Sequence, residues 1–254
     1  MTFQTLRLDI EATIARLVLA RPAGANRIDQ RVLRELVDAA QLIAEDTSVA
    51  LTVLSADGTD FCAGWDPDTR DALSSPESRV LDPFGCIANL PAPVLVALQG
   101  AVHGAGLELA LACDIRIAAD DAHFALPDVA LGSLPLAGGS QRLPRVAGRS
   151  VATSMLLLGD ELDAAAAYRA GIVSRVFPAA SLAQEAETLA RRIAANGPLG
   201  LRYAKEAVTN GLELPLDAAL RLELDFSVIL QTTRDRAEGV EAFKQKRPPQ
   251  FEGR

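Results

Sequence analysis

Gly104-Ala105-Gly106-Leu107-Glu108-Leu109-Ala110-Leu111-Ala112-Cys113-Asp114 sets a glycine turn directly against a long apolar run. Small residues at 104 to 106 make a turn that a ligand can approach closely, and the apolar run behind it reads as a helix whose first N–H groups lack intrahelical acceptors. Leu109 stands where the third glycine of a G-x-G-x-x-G fingerprint would fall, so a dinucleotide site is disfavoured. Glu108 lies in the first turn of this apolar helix. A carboxylate there either pairs with the helix dipole or is put to chemical work, since an inward-facing charge is costly to bury.

Working outward, Val94-Leu95-Val96-Ala97-Leu98 reads as a buried strand, fenced by Pro91 and Pro93 in front and Gly100 behind. Ile115 to Ala118 and His123 to Leu126 read as short strands after the helix. Towards the N-terminus, residues 3 to 20 alternate as a half-buried hairpin, and Arg21-Pro22-Ala23-Gly24 breaks it. Asp29 is a plausible N-cap for a helix carrying Val32, Leu33, Leu36, Val37, Ala40 and Ile43, followed by a strand at 50 to 54. Residues 55 to 83 and 127 to 139 read as loops, the second opening into a helix at Gly139-Ser140-Gln141. Beyond residue 149 the chain reads mostly helical, over 181 to 195, 200 to 210, 215 to 230 and 234 to 245. Strands alternating with helices, then helices only, predict an α/β core with a helical C-terminal region.

The 254 residues include 25 Lys and Arg against 33 Asp and Glu, a formal net charge of −8, with no basic run that could track a nucleic acid or an anionic membrane. A phosphate-bearing small ligand is still allowed, because it needs only a local positive spot. Cys62, Cys86 and Cys113 form no C-x-x-C pair, so neither a disulfide framework nor a structural metal site is expected, and a reducing cytoplasm fits best. No apolar run approaches the ~18 residues that span a bilayer. P-loop, G-x-S-x-G and H-E-x-x-H patterns are missing, and His103 and His123 are the only histidines.

The turn at 104 to 106 and the segment Phe61-Cys62-Ala63-Gly64 are two backbone N–H sources that could converge on one oxygen and stabilise an enolate or tetrahedral anion; turn geometry alone explains each equally simply. Asp128, after Pro127, is either a turn residue or an acid/base group. His103 reads as a packed or capping histidine and His123 as a surface strand residue. Trp65 either lines a ligand site or covers its loop, and Cys62 reads as a small apolar residue.

Taken together, Phe61-Cys62-Ala63-Gly64-Trp65-Asp66, Pro93 through Asp114, Phe124-Ala125-Leu126-Pro127-Asp128 and Ala137-Gly138-Gly139-Ser140-Gln141-Arg142-Leu143-Pro144 resemble the crotonase, or enoyl-CoA hydratase/isomerase, superfamily along essentially the whole chain. The resemblance implies a spiral of β-β-α turns over residues 1–195 and a helical trimerisation region over 196–254, assembled as a homotrimer or homohexamer. It implies an acyl-CoA thioester as substrate and no cofactor or metal beyond the coenzyme A that the substrate carries. By match to the family's motif, the N–H groups of Ala63 and Ala105 would hold the thioester oxygen. Asn26, Arg27 and Ile28, with Ala63, Gly64, Trp65 and Asp66, would contact CoA, and Phe243 with Lys246 would close that site, often from a neighbouring subunit. Glu108 and Asp128 would position and activate a water that adds across a 2-enoyl thioester.

Two positions depart from the hydratase pattern. Position 128 is usually Glu, and Asp withdraws the carboxylate by roughly 1.5 Å, when a ~1 Å misplacement can cost about 100-fold. Leu136 stands where a small or polar residue is usual beside the attacking water, and its bulk would narrow that space. A double-bond isomerase of the same family and a catalytically weak acyl-CoA-binding protein therefore stand as alternatives to the hydratase.

Overall fold

The computed structural model describes residues 3–75 and 82–254; the part of the expected 55–83 loop at 76–81 lies outside the described residues. The chain opens with the expected hairpin, β1 (Leu6–Glu11) and β2 (Ile14–Leu19), paired antiparallel with Leu6 opposite Leu19. α1 (Gln30–Glu45) follows, because Asp29 caps it by accepting the N–H groups of Arg31 and Val32 at 2.8 Å each. Its buried residues Val32, Leu36, Ala39, Ala40 and Ile43 recur at helical spacing and fix one face to the core.

Next come β3 (Leu51–Ala56), α2 (Pro67–Leu73), α3 (Gly85–Ala88), β4 (Val94–Leu98), β5 (Ala101–His103), α4 (Ala105–Leu111), β6 (Ile115–Ala119), β7 (His123–Ala125) and α5 (Gly139–Leu158). The strands sort into two sheets, of order β1-β2-β3-β4-β6 extended by a last strand, and β5-β7 likewise extended. From β2 onward the large sheet is parallel, and β4 is buried along its whole length, as a parallel strand covered on both faces must be. Each turn of the chain gives one strand to the large sheet, one to the small sheet, and then helix. β4, β5 and α4 make one such turn; β6, β7 and α5 make the next. Before them β3 is followed by Cys62, which bridges Val102 of β5. This is the expected β-β-α spiral.

The last strands were not legible in the sequence. β8 (Leu162–Asp163) pairs with β7, α6 (Ala164–Arg169) follows, and β9 (Arg175–Phe177) adds to β6 at the edge of the large sheet. Strands of two and three residues carry no periodicity to read, so the segment after 149 is not purely helical as expected. α7 (Leu182–Ala194), α8 (Pro198–Gly211), α9 (Leu216–Gln231) and α10 (Arg234–Gln245) match the four expected helices within three residues at each end. α8 is tied back to the core by Lys205, which meets Asp114 at 2.9 Å, and by Arg202, which donates to the Thr47 carbonyl at 2.8 Å.

Two buried cores result. The main one holds Leu36, Phe61, Phe84, Phe124 and Leu143 between the sheets and helices, and each such side chain contributes roughly 1.5–3 kcal/mol on burial. The second lies on the other face of the large sheet, where Leu51, Leu95 and Ile117 meet Leu182, Ala186 and Ala190 of α7. No helix of the described residues is long and apolar enough to cross a membrane.

Candidate active site

Gly104 has φ +50° and ψ −117°, a conformation open to glycine and strained for any side chain, and it turns the chain from β5 straight into α4. Its N–H goes to the Ala125 carbonyl at 2.9 Å. The N–H of Ala105, first residue of α4, has no acceptor among the described residues.

On the facing segment, the Ile28 N–H donates to the Gly64 carbonyl at 3.0 Å and the Asp66 N–H to the Ile28 carbonyl at 2.9 Å. That pairing uses the groups on either side of Trp65 and turns the Trp65 N–H the opposite way, where it too has no acceptor among the described residues. Ala63 does not fill the role expected of it. Its N–H is spent on the Ala25 carbonyl at 2.9 Å, and a donor already satisfied inside the loop is not offered to a ligand.

Glu108 is fully buried, and all the donors around it are fixed. Its Oε1 accepts the N–H groups of Ala137 at 2.6 Å and Gly139 at 2.9 Å, and its Oε2 accepts the Trp65 indole N–H at 3.2 Å. Burial nevertheless raises its pKa to about 7, against the pull of those three donors and with help from the charge of Asp128. Gly139 is required for this contact, because a Cβ there would stand 3.1 Å from Oε1 and 2.9 Å from the Pro135 Cβ.

Asp128 sits in the short 3-10 turn Pro127–Leu131 and is 3% exposed. Desolvation raises its pKa also, while the Arg70 guanidinium, 3.7 Å away, opposes the rise. The 20 residues that separate the two carboxyls in sequence are therefore closed by the fold into one electrostatically coupled pair.

A cleft of about 320 Å³ reaches Asp128 and is lined by Arg27, Ala63, Gly64, Trp65, Arg70 and His103 among others, while Glu108 is joined to it through the Trp65 indole. Trp65 both lines it and covers Glu108, stacked on Phe84 with ring centroids 5.6 Å apart. His103 faces Glu161 at 2.9 Å and His123, half-exposed, meets the same carboxylate at 3.4 Å. Cys62 is sealed in the core with its thiol pushed up to about 12, so it is not a nucleophile. Leu136 is half-buried and packs on the main core.

The expected CoA contacts divide. Arg27 is exposed at the cleft and donates to the Trp65 carbonyl at 3.3 Å, and Asp66 caps α2 by accepting the Thr69 N–H at 3.3 Å. Asn26 cannot offer its side chain: it is buried, donates to the carbonyls of Asp57 and Asp60 at 2.8 and 2.9 Å, and accepts the Arg21 N–H at 2.9 Å. Ile28 is wholly buried in the core, so only its backbone reaches the ligand loop. Phe243 and Lys246 lie on and just after α10, both exposed, and neither lines this cleft. Arg70 had no signal in the sequence, because only the fold brings it to Asp128. Among the described residues no cluster of His, Cys, Asp and Glu is placed to hold a metal ion.

The family model for enoyl-CoA hydratase/isomerase matches residues 9–254. The chain belongs to this family. It is 38% identical over 241 residues to the 2,3-dehydroadipyl-CoA hydratase of Escherichia coli, with 94% of each chain covered. It is 35% identical over 257 residues to the crotonyl-CoA hydratase of Syntrophomonas wolfei, with 99% of each covered. Among solved structures, the enoyl-CoA hydratase of Bacillus anthracis superposes with a TM-score of 0.91 at 35% identity, over 99% of this chain and 100% of that one. The spiral with its helical C-terminus is the crotonase fold, and the family is one of enzymes.

Proposed function

We propose that the chain is an enoyl-CoA hydratase that adds water across the 2,3 double bond of a 2-enoyl-CoA thioester, and that the coupled pair Glu108 and Asp128 performs the proton transfers. The observation that carries this reading is the unequal environment of two buried carboxyls, one lining the cleft and the other bonded to the Trp65 indole that lines it. Proton transfer at two adjacent carbons calls for one acid and one base. Glu108 keeps its proton up to about pH 7 and Asp128 sits beside the Arg70 guanidinium, so the two carboxyls are placed to divide these roles between them.

In the forward direction the ionised carboxylate of the pair takes a proton from water as the oxygen bonds to C3. The C2–C3 π pair moves to the thioester, and the enolate oxygen is held by the N–H groups of Ala105 and Trp65, replacing the expected Ala63. Collapse of the enolate draws the proton of the other carboxyl to C2. One water has been added, and passing the proton taken from water between the two carboxyls resets the pair.

CoA lies along Arg27 and Gly64 to Asp66. Phe243 and Lys246, exposed on the C-terminal helix, close the site of a neighbouring subunit in a homotrimer or hexamer; the exposed Leu216, Leu220, Leu224 and Val228 of α9 support such assembly. The three cysteines are free, consistent with a reducing cytoplasm. The resemblance to hydratases of short and dicarboxylic acyl thioesters supports a role in acyl-chain breakdown.

Purified protein is to be given trans-2-enoyl-CoA thioesters of several chain lengths, following loss of the conjugated thioester absorbance and product mass. Gain of one water with saturation kinetics is the expected result. Conversion of 3-enoyl to 2-enoyl thioesters with no gain of mass would replace hydration by isomerisation.

A further inference from the structure

Trp65 is the only tryptophan of the chain. It is buried, its ring lies nearly parallel to that of the fully buried Phe84 at an interplanar angle of 9°, and its indole N–H reaches Glu108 Oε2 at 3.2 Å. Its backbone N–H has no acceptor among the described residues, because the pairing with Ile28 uses the Gly64 carbonyl and the Asp66 N–H on either side of it. One residue therefore serves two parts of the site, the ligand loop through its main chain and the Glu108 carboxyl through its side chain.

The three donors around Glu108 are not equivalent. Oε1 accepts two of them, the backbone N–H groups of Ala137 and Gly139 at 2.6 and 2.9 Å, and a carboxyl oxygen has two lone-pair sites to fill. Oε2 accepts only the indole and keeps one site open. Backbone and indole N–H groups donate and cannot accept. A proton on Glu108 then has no room on Oε1 and no acceptor among these three partners, so it is exchanged at Oε2 and away from them. The indole is the one donor of the three that comes from a side chain, and that side chain belongs to a residue lining the cleft. Stacking on Phe84 holds the plane of the ring and with it the direction of the N–H.

We propose that the Trp65 side chain is a positioning residue for proton transfer: its indole N–H fixes Oε2 of Glu108 as the oxygen that exchanges the proton with C2 or with water. Since the backbone N–H of the same residue faces the enolate oxygen, Trp65 also sets the spacing between the anion site and that oxygen. This rests on the hydration reading, with Glu108 as one of the two carboxyls that transfer protons. It does not depend on which of the two is ionised at rest.

The test uses the presence of a single tryptophan. Biosynthetic replacement of tryptophan by benzothienylalanine exchanges the N–H of this residue for sulfur and keeps its shape and its backbone. Hydration of a 2-enoyl-CoA thioester is followed for kcat and KM, and the product formed in heavy water is analysed for the face of C2 that received deuterium. The expected result is a kcat about 10-fold lower with KM changed by less than about two-fold, as a small misplacement of a reacting group costs, and deuterium on both faces of C2. Trp65→Phe, which keeps the stacked ring and the backbone N–H, gives the same pattern, with thermal unfolding showing that the fold is retained. Fluorotryptophan, which keeps the N–H, restores delivery to one face. In a Glu108→Gln background the benzothienylalanine replacement costs nothing further. An unchanged kcat, a rise in KM alone, or an equal loss in the Glu108→Gln background overturns the role of the indole while the hydratase reading stands. Unsubstituted protein that adds no water to any 2-enoyl thioester overturns that reading and takes the role of Trp65 with it.

Discussion

Glu108 and Asp128 are buried to nearly the same degree, yet their partners differ. Glu108 projects from a regular helix into a fixed cage of two backbone N–H groups and an indole N–H, with no ion pair to it among the described residues. Asp128 projects from a 3-10 turn at the cleft wall, with Oδ2 unbonded and a guanidinium 3.7 Å away. The cage holds the Glu108 carboxyl in place, and the guanidinium sets a positive charge beside Asp128. Burial raises the pKa of both groups, and their unequal partners are what distinguish them.

The largest expected effect breaks the comparison at its centre. Glu108→Gln keeps the side chain's shape and removes its proton transfer, so hydration should fall on the order of 1,000-fold with acyl-CoA affinity retained; steady-state kinetics alongside a binding titration check both. A loss of affinity equal to the loss of rate would place Glu108 in binding instead. Next in size, Gly139→Ala should cost about 100-fold, because its Cβ would press on Oε1 and shift the carboxyl without altering its chemistry. Kinetics of that variant, with thermal unfolding to exclude global damage, separate geometry from charge.

The smallest effect is on stability. Glu108 binds its proton more tightly folded than unfolded, so its contribution favours folding at low pH and is lost as pH rises from about 4.5 to about 7, with no further change above. The full span corresponds to ~3 kcal/mol at most. Denaturant unfolding from pH 4 to 8 should therefore show a decline in wild type that is flattened in Glu108→Gln. Parallel curves would show that the cage, and not burial, sets the proton affinity.

Much of this was legible in the sequence, and the reasons differ from place to place. The hairpin, the Asp29 cap and the four C-terminal helices follow from periodicity and capping, which are local. The turn at 104 to 106 announced a backbone site because Glu108 sat in an apolar helix with no sequence neighbour to satisfy it. What escaped was set by pairing across the fold. The Trp65 N–H is left without an acceptor among the described residues and the Ala63 N–H is not, because Ile28 takes the groups flanking Trp65 and Ala25 takes the Ala63 N–H. Asn26 was read as a ligand contact and is instead the clamp of its own loop. β8 and β9 are too short to carry a pattern, and Arg70 meets Asp128 only once α2 is laid beside the 3-10 turn.

That Glu108 keeps its proton to about pH 7 can be read by carboxyl carbon-13 NMR of glutamate-labelled protein, with Glu108→Gln identifying the resonance. Glu108 is expected to show a midpoint at about 7, moving lower when Asp128→Asn removes the neighbouring charge. A midpoint in the ordinary glutamate range near 4.3, unmoved by that substitution, would contradict it.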